Sequence, residues 1–362
     1  MKEILFITPF PPSTLGAGVN YTRQLLEELS MSFKIDLIYF KAKDDSSYIP
    51  TNKNISIKYV FKTSNLKKIT YIILTPLLFP LFTAKFSIFN LIKIKTLVNR
   101  GSYDIIYFDF SQMFLYGNFF KGHNTIFMSH DIIGQRYDRK NKYIGKWAKL
   151  TERWLLKRSK KIFTFSQKDS DLLRTWYRIN SEPTQFYFEK NVVLAYPNQI
   201  GSYFVFFAMW KRPDNYEGLE WFIDTILPEL KEFQFKVIGS GLPDSLRTKI
   251  DDSDNVEYLG FIDNPYPIIA NSKALISPLF HGAGVKVKVL DALAVGSPII
   301  GTEISFEGID EMYSPLMLKA CTPRQFVDSI KHIDIPLSTR IKIKDLFINQ
   351  NKTKEIIKYL QS

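Results

Sequence analysis

Cysteine is almost absent from this chain of 362 residues, in which Cys321 is the only one. A single cysteine cannot form an internal disulfide and cannot build a cysteine-based zinc site or nucleophile framework. A reducing compartment is therefore expected. The opening residues, MKEILFITPF, lack the long apolar core and small-residue cleavage site of a signal peptide, and they predict a first buried strand.

Acidic residues are missing from a long stretch of the first half. Between Asp45 and Asp104 there are nine Lys or Arg and no Asp or Glu. Before Asn198 the chain has 30 Lys and Arg against 15 Asp and Glu, and after it 18 against 21, so the net charges are +15 and −3. A domain this basic could attract nucleic acid. However, no recognition motif is present and the aromatic residues lie in apolar runs, so we expect no nucleic-acid partner.

One segment of this basic region is apolar. Residues 69–84, ITYIILTPLLFPLFTA, are sixteen uncharged residues interrupted by two prolines and flanked by Lys67, Lys68 and Lys85. They fall short of the roughly 20 residues that a membrane span needs. Two interpretations remain open. The segment is either a buried helical hairpin under a basic surface, or an interfacial segment that binds an anionic membrane surface through residues 65–100, which we slightly favour.

The first half alternates short apolar runs with amphipathic stretches. Such runs predict buried parallel strands, and amphipathic stretches predict the helices that cover them. The predicted strands are Ile4–Thr8, Ile35–Phe40, Ile105–Phe108, Thr125–Met128 and Ile162–Phe165, with helices that include Tyr21–Leu29 and Trp147–Lys157. This pattern predicts a doubly wound α/β domain over residues 1–198.

The pattern restarts after a Pro-Asn turn at residues 197–198, and a strand is predicted to end before it at Ala195. A second α/β domain is predicted over residues 199–362, with C-terminal helices that could pack back across either domain. Its predicted strands begin near Phe204 and continue with Phe235–Ile238, Val256–Leu259, Ala274–Ser277 and Pro298–Gly301, with helices at Tyr216–Leu230 and Val285–Val295. Two such domains would face each other across a cleft lined by the carboxyl ends of their strands.

The stretch HGAGVKVKVLDALAV, residues 281–295, combines features of an anion site. Gly282 and Gly284 let a backbone approach a ligand closely, and the first turn of a following helix presents free amides. Lys286 and Lys288 add positive charge, and Asp291 can accept hydrogen bonds from ribose hydroxyls. Together they suggest a nucleotide diphosphate, although a glycine turn before a helix with solvated lysines is also common.

These segments resemble the retaining GT-B-fold glycosyltransferases of the group 1, family 4-like type. The resemblance rests on SPLFHGAGVKVKVLDALAVGSPIIGT with EGI after it, on FKVIGSG and VEYLGFID, and on ITPFPPSTLGAGVNYTRQLLEEL, SHD and FTFSQKD in the first half. It covers most of the chain, and residues 45–100 are the least similar. It implies the GT-B fold, with two Rossmann-like domains facing across a cleft.

The resemblance also implies roles for individual residues. His130 would face the transferred sugar, and the loop residues Gly16, Ala17 and Gly18 would approach the donor phosphates or the acceptor. Donor binding would involve Gly282, Ala283, Gly284, Val285, Lys288, Asp291 and Glu307. His130 as a satisfied polar residue, and the first-domain glycines as plain turn residues, remain alternatives.

The chain departs from the family pattern at several of these positions. His281 stands where a Glu that holds sugar hydroxyls is usual, and Asp291 stands where Glu is usual. The familiar Arg and Lys clamp is not evident, and Lys211, Arg212 and Asn215 are offered in its place. The pair Asp252 and Asp254 superficially matches an Asp-x-Asp metal site, but its polar loop predicts a surface turn. We expect no metal.

The resulting hypothesis is a retaining, metal-independent glycosyltransferase without a cofactor. It would move a sugar from a UDP-, GDP- or dTDP-linked donor to a saccharide or lipid-linked acceptor in cell-surface polysaccharide, lipopolysaccharide or glycolipid synthesis. It would act in the cytoplasm, peripherally on the inner face of the cell membrane. Two alternatives are a nucleotide-sugar 2-epimerase of the same fold class and a catalytically silent glycosyltransferase-like subunit that binds membrane or a partner.

Overall fold

The structure is a computed structural model that describes residues 1–14, 16–351 and 354–362, without the side chains of Ala17, Leu66 and Lys67. The chain divides into two compact units. The first unit is Met1–Tyr187 with Lys354–Ser362, and the second is Phe188–Thr353. Each has its own hydrophobic core.

The first unit is built on a parallel sheet of seven strands in the order β3-β2-β1-β4-β5-β6-β7. Its central strands are apolar at nearly every position, as expected for a sheet that is covered on both faces. The strands are β1 (Glu3–Thr8), β2 (Lys34–Lys41), β3 (Ile55–Lys62), β4 (Ile105–Asp109), β5 (Thr125–Ser129), β6 (Lys161–Thr164) and β7 (Glu182–Pro183).

Nine helices belong to the described part of the first unit, and α7, the longest, contributes side chains to its hydrophobic core. In α7, for example, Ala148, Leu155 and Leu156 are buried. The helices are α1 (Ala17–Leu29), α2 (Asn65–Leu74), α3 (Pro80–Thr83), α4 (Ile88–Arg100), α5 (Phe114–Gly117), α6 (Ile133–Asp138), α7 (Lys142–Leu156), α8 (Gln167–Leu172) and the C-terminal α16 (Glu355–Gln361), with a π-helical turn at Leu173–Tyr177.

The second unit repeats this plan with a parallel sheet of six strands in the order β10-β9-β8-β11-β12-β13. The strands are β8 (Tyr203–Phe207), β9 (Gln234–Ile238), β10 (Val256–Gly260), β11 (Leu275–Ser277), β12 (Ile299–Gly301) and β13 (Met317–Lys319). The helices are α9 (Lys190–Leu194), α10 (Pro213–Thr225), α11 (Asp244–Asp251), α12 (Tyr266–Asn271), α13 (Val287–Val295), α14 (Pro323–His332) and α15 (Leu337–Gln350).

The division between the units falls after Tyr187, whereas the predicted boundary followed residue 198. The intervening residues form α9, which packs against α13 of the second unit. The prediction of a strand that ends at Ala195 is therefore wrong, because residues 190–194 are helical. At the other end of the chain, α16 belongs to the first unit, where Lys354 Nζ donates to the Phe186 carbonyl at 2.5 Å.

Three strands were not predicted: β3, β7 and β13. All lie at or beside an edge of their sheet, and β7 and β13 have only two and three residues. In β3 the buried positions alternate with exposed ones, so it lacks the continuous apolar run that marks the central strands.

The apolar segment at residues 69–84 is neither wholly buried nor wholly exposed. Its second half contributes Phe79 and Phe82 to the core, whereas Ile73 is 68% and Leu77 is 87% exposed. The interpretation as a buried hairpin therefore fails for residues 69–77. No helix in the described residues is both long and apolar enough to cross a membrane.

Candidate active site

The glycine turn of the second unit connects β11 to α13. Gly282 and Gly284 have φ angles of 115° and 69°, in the left-handed region that side chains with a Cβ rarely adopt. Both glycines are therefore required by the turn itself. Nearby, a Cβ on Gly218 of α10 would lie 2.0 Å from the Pro278 carbonyl oxygen, so only glycine lets α10 pack this closely on the segment after β11.

Lys288 lies in the first turn of α13 and reaches across to α10. Its Nζ donates to Oδ1 of Asn215 at 3.2 Å, while Asn215 Nδ2 donates to the Met209 carbonyl. Burial, followed by the neighbouring charges of Lys286 and Arg212, lowers the pKa of Lys288 to about 7. An anion bound beside Nζ would stabilise the charged form, because it would offset both effects.

Lys286 caps α13, which begins at Val287 rather than at the predicted Val285. Its Nζ donates to the carbonyl of Gly284 at 2.5 Å and lies 3.7 Å from Oε2 of Glu307. Glu307 is buried and follows β12. The structure therefore brings Glu307 to the glycine turn, and it shows that Lys286 is held against the backbone of that turn rather than solvated.

Asp291 lies one turn further along α13 and is 9% exposed. Burial, followed by the charge of Glu189, raises the pKa of Asp291 to about 7. Burial, followed by the nearby charge of Asp291, raises the pKa of the Tyr266 phenol of α12. Asp291 is thus near Lys288 in sequence but faces acidic and phenolic neighbours.

The other predicted residues of the second unit are more accessible. His281 is exposed, and Ala283 and Val285 are half-buried in the turn. Lys211 is exposed and covers Gly241 of the loop after β9, where an added Cβ would lie 2.7 Å from Lys211 Cγ. Asp252 and Asp254 are exposed in the turn after α11, as predicted.

His130 of the first unit follows β5 and is held by an acid from the neighbouring strand. Its Nε2 lies 2.7 Å from Oδ1 of Asp109, the last residue of β4. The other carboxylate oxygen of Asp109 accepts from the hydroxyls of Thr8 at 3.0 Å and Thr22 at 2.6 Å. With Asp109 as the acceptor, Nε2 carries a proton, and Nδ1 lies on the side of Gly18.

Aromatic rings and one glycine fix the orientation of His130. Phe110 stacks on the imidazole with centroids 3.5 Å apart, and Phe165 and Tyr21 meet it edge-on. A Cβ on Gly18 would lie 2.8 Å from the Phe110 ring and 3.3 Å from Nδ1, so the start of α1 packs directly against the ring pair. Gly16 has φ 116° and precedes α1, and the side chain of Ala17 lies outside the described residues.

Sequence reasoning missed Asp109 and Phe110. The available signal was an Asp at the end of an otherwise apolar strand, IIYFD, which is an unusual place for a carboxylate. Phe110 has φ 61°, a rare conformation for a bulky residue. That backbone strain could not be read from the sequence.

Lys85 was predicted to be a basic flank that attracts the apolar segment to an anionic membrane surface. In the structure its side chain is half-buried instead. Its Nζ donates to the carbonyl of Pro9, just beyond β1, and lies 3.9 Å from the centroid of the Phe10 ring. Burial lowers the pKa of Lys85 to about 7. Because Phe10 meets Phe110 edge-on, Lys85 lies on the His130 side of the first unit.

Comparison with known protein families gives one match. Residues 201–333 match the family described as "Glycosyl transferases group 1". The second unit is thus similar to group 1 glycosyl transferases. The matched residues include the glycine turn, Lys288, Asp291 and Glu307, and exclude His130 and the rest of the first unit. A comparison with curated proteins found no match.

Comparison with solved structures extends the similarity over nearly the whole chain. Sucrose-phosphate synthase from Thermosynechococcus elongatus is 14% identical with a TM-score of 0.67, over 97% of this chain and 94% of that one. HepE from Anabaena, in complex with UDP and glucose, is 12% identical with a TM-score of 0.68 over both full chains. WaaG, a glycosyltransferase involved in lipopolysaccharide biosynthesis, is 10% identical with a TM-score of 0.65 over 96% of each chain.

Together, the two parallel sheets and these neighbours confirm the predicted fold class, GT-B, with two Rossmann-like domains. At such low identity the structural matches establish the fold alone, and the similarity to group 1 glycosyl transferases rests on the family match of residues 201–333.

Proposed function

We propose that the protein transfers a sugar from a nucleoside-diphosphate donor to a saccharide or lipid-linked acceptor, with retention at the anomeric carbon. The observation that carries this proposal is Lys288, a partly buried lysine with its pKa lowered to about 7 beside a glycine turn at the start of α13. A lysine desolvated among other cations gains most when a dianionic or diphosphate group arrives.

The donor diphosphate would bind at the amino end of α13. The unpaired amides of a helix start carry about half a positive charge and favour anions there. Gly282 and Gly284 keep side chains away from this backbone, and Asn215 holds the Lys288 ammonium in place. Asp291 would accept a hydrogen bond from the ribose, and the exposed Lys211 would add positive charge at the solvent-facing side of the donor site.

The reaction follows from this distribution of charge. The bond between the anomeric carbon and the diphosphate oxygen breaks, and its electron pair goes to the diphosphate, where the amides and Lys288 stabilise the new charge. The acceptor oxygen bonds to the anomeric carbon from the same face, and its proton passes to the leaving phosphate oxygen. In this proposal the helix amides and lysines provide the positive charge, without a metal ion or cofactor.

His130 is proposed as the residue of the first unit that contacts the transferred sugar. Because Asp109 and Phe110 fix the imidazole before any ligand arrives, little orientational freedom is lost on binding. The basic first unit would bind an anionic membrane surface through residues 65–100 and receive the acceptor there. The protein would then work peripherally on the inner face of the cell membrane, in polysaccharide or lipopolysaccharide synthesis, the process in which the WaaG neighbour takes part.

The test is calorimetric binding of UDP, GDP, dTDP, ADP and CMP, with parent protein beside Lys288→Ala and Asp291→Ala. One nucleoside diphosphate should bind, and Lys288→Ala should weaken it by about 1.5 to 3 kcal/mol, the usual contribution of a hydrogen bond to a charged group. Lys231→Ala is the matched control, since Lys231 is an exposed lysine of the same unit far along the chain from the turn.

If no nucleotide binds, or if Lys288→Ala binds as tightly as the Lys231→Ala control, the donor site is not at α13 and the proposal is wrong. With the bound donor identified, transfer to a saccharide acceptor can be followed by NMR of the anomeric proton, which reports retention or inversion directly. Conversion of the donor to an epimer without any acceptor would instead identify an epimerase.

A further inference from the structure

The helix α7 has two apolar faces, and only one of them is buried. Gly145, Ala148 and Leu155 lie on the face that packs into the first unit. Tyr143, Trp147, Leu150 and Trp154 follow one another at steps of four, three and four residues, which places them in a single stripe along the helix. All are exposed, Tyr143 by 87% and Leu150 by 58%.

This stripe continues onto the segment before α3. Trp147 Nε1 donates to the carbonyl of Leu77 at 2.9 Å, and the Phe79 ring meets the indole edge-on at 5.3 Å. Leu77 is 87% exposed, and Ile73, at the end of α2, is 68% exposed. The side chains of α7 and of residues 73–77 therefore form one apolar surface, here called the α7 surface. Its α7 portion alone extends over twelve residues, from Tyr143 to Trp154, with about 16 Å of helix between the first and the last.

Exposed cations border the α7 surface, and Lys149 of the same helix is paired with Asp138 at 2.9 Å. Lys142, Lys146 and Lys157 are exposed on or just after α7, and the guanidinium of Arg158 lies 4.7 Å from the Trp154 ring. The one acidic residue of α7, Glu152, is buried, where it accepts hydrogen bonds from the amides of residues 133 and 134 and from the hydroxyl of Tyr177.

We propose that the α7 surface docks this protein onto an anionic lipid surface, with Tyr143, Trp147, Leu150, Trp154 and Leu77 entering the interface. Tyr and Trp favour the boundary between headgroups and acyl chains, where one end of the ring is apolar and the other is hydrated. A helix with an apolar stripe and flanking lysines lies in the plane of such an interface. This extends the proposed membrane contact to a helix outside residues 65–100, and it rests on the proposed function only for the location of the acceptor.

A protein partner is disfavoured by the same observations. The exposed cations beside an aliphatic and aromatic stripe match a surface that offers negative charge and hydrocarbon together, as anionic phospholipid does. A second copy of this chain would bring its own lysines against these, and like charges facing each other oppose association.

Flotation of the purified full chain with vesicles tests the proposal. The parent should float with vesicles that contain phosphatidylglycerol and at least tenfold less with pure phosphatidylcholine. Leu77→Ser, Tyr143→Ser and Leu150→Ser, combined in one variant, should lower the partition coefficient at least tenfold. These side chains are mostly exposed, so the variant should keep its unfolding temperature. Lys142→Glu with Lys146→Glu should lower binding to phosphatidylglycerol vesicles and leave the weak binding to phosphatidylcholine unchanged.

Phe261→Ser with Met312→Ser is the matched control, because both residues are exposed apolar residues of the second unit, 67% and 41% exposed. It should float like the parent. Equal flotation of the triple serine variant and the parent would overturn the proposal, as would a parent that does not bind anionic vesicles. A parent that is dimeric by light scattering without lipid, and monomeric when carrying the three serines, would instead make the α7 surface an interface between copies. Nucleotide binding, measured on the same samples, reports separately on the proposed function.

Discussion

The carboxyl edges of the two parallel sheets, where their strands end, carry different kinds of residue. At the edge of the first sheet a single His130 is held by Asp109 and enclosed by aromatic rings. At the edge of the second sheet, the glycine turn exposes backbone. Burial, followed by the charge of the neighbouring Lys286, lowers the pKa of Lys288 there. The first edge is prearranged and apolar, whereas the second is open and cationic.

The net charges of the two halves of the chain show the opposite trend, because the first half is the basic one. The chain before Asn198 carries +15, and many of its cations lie on outer surfaces such as that of α7. The remainder carries −3, yet it brings Lys286 and Lys288 together at one turn. Net charge therefore indicates what a domain is attracted to over long distances, and the local arrangement of a few groups indicates which ligand it binds. The contrast predicts that the two edges affect different steps of one reaction.

The largest effect, and the clearest separation of the two edges, is expected from His130→Ala. The transfer rate should fall about 100-fold or more, the range found when one preorganised group at a reacting centre is removed. Nucleotide affinity should stay within about twofold, because the proposed donor site lies in the second unit. Initial rates and calorimetry on the same preparation measure both.

His123→Ala is the control, since His123 is an exposed histidine of the same unit. Asp109→Asn should lower the rate less than His130→Ala while leaving the KM for donor unchanged, because Asp109 positions the ring. A His130→Ala enzyme with normal turnover and weakened nucleotide binding would reverse the assignment of the two edges.

The next largest effect is expected from Gly284→Ala. Its φ of 69° is in the left-handed region, where a Cβ costs about 1 to 2 kcal/mol, so nucleotide affinity should fall about 5- to 30-fold. Gly122→Ala places similar strain in a loop of the first unit, at φ 92° with open space around the added Cβ. Calorimetry should show unchanged affinity for Gly122→Ala. Equal losses in both variants would point to general destabilisation instead.

The pH dependence of donor binding should come from the second edge alone. The pKa of Lys288 is lowered to about 7 in the free protein, so the lysine is charged below that pH and increasingly neutral above it. Affinity for a nucleotide sugar, whose diphosphate charge is constant, should therefore fall about 5- to 30-fold from pH 7 to about pH 9.

Lys288→Met should abolish this alkaline loss, whereas His130→Ala should retain it. Asp291 has its pKa raised to about 7, so its carboxylate is lost as the pH falls through 7, and any weakening on the acid side should disappear in Asp291→Asn. A slope that survives in Lys288→Met would assign the titration to another group.

The smallest effect is expected from Lys211→Ala. Lys211 is exposed, and an exposed cation contributes about 0 to 1 kcal/mol to an ionic contact because solvent screens it. Nucleotide affinity should fall less than about threefold at moderate salt, against a much larger loss for Lys288→Ala. A loss of equal size in Lys211→Ala and Lys288→Ala would show that the ligand buries Lys211, which would then contribute to binding as much as Lys288 does.

The sequence predicted the central strands of each sheet well and the edge strands poorly. Continuous apolar runs such as ILFIT and IIYF predicted central strands correctly, because a strand covered on both faces carries its burial in its composition. The edge strand β3 and the short β13 carry no such signal. The helix α9 resembled a strand because its VVL run is too short to show a helical period.

For the candidate site, the glycines and lysines of residues 281–288 could be selected from the sequence, since turn chemistry and local charge are local properties. Their partners Asn215 and Glu307 could be proposed only through the resemblance. The contact of Lys286 with Glu307 and the burial of Lys85 depend on how distant segments pack, and neither was predicted from the sequence.

By itself, the sequence determined two α/β domains with parallel sheets, a basic first half, and a glycine and lysine turn before a helix, because periodicity, composition and turn preferences act over a few residues. Only the tertiary structure decided that Asp109 holds His130, that burial lowers the pKa of Lys288, and that the stripe of α7 faces solvent. Those facts depend on which neighbours remove a side chain from water, and such neighbours come from parts of the chain far apart in sequence.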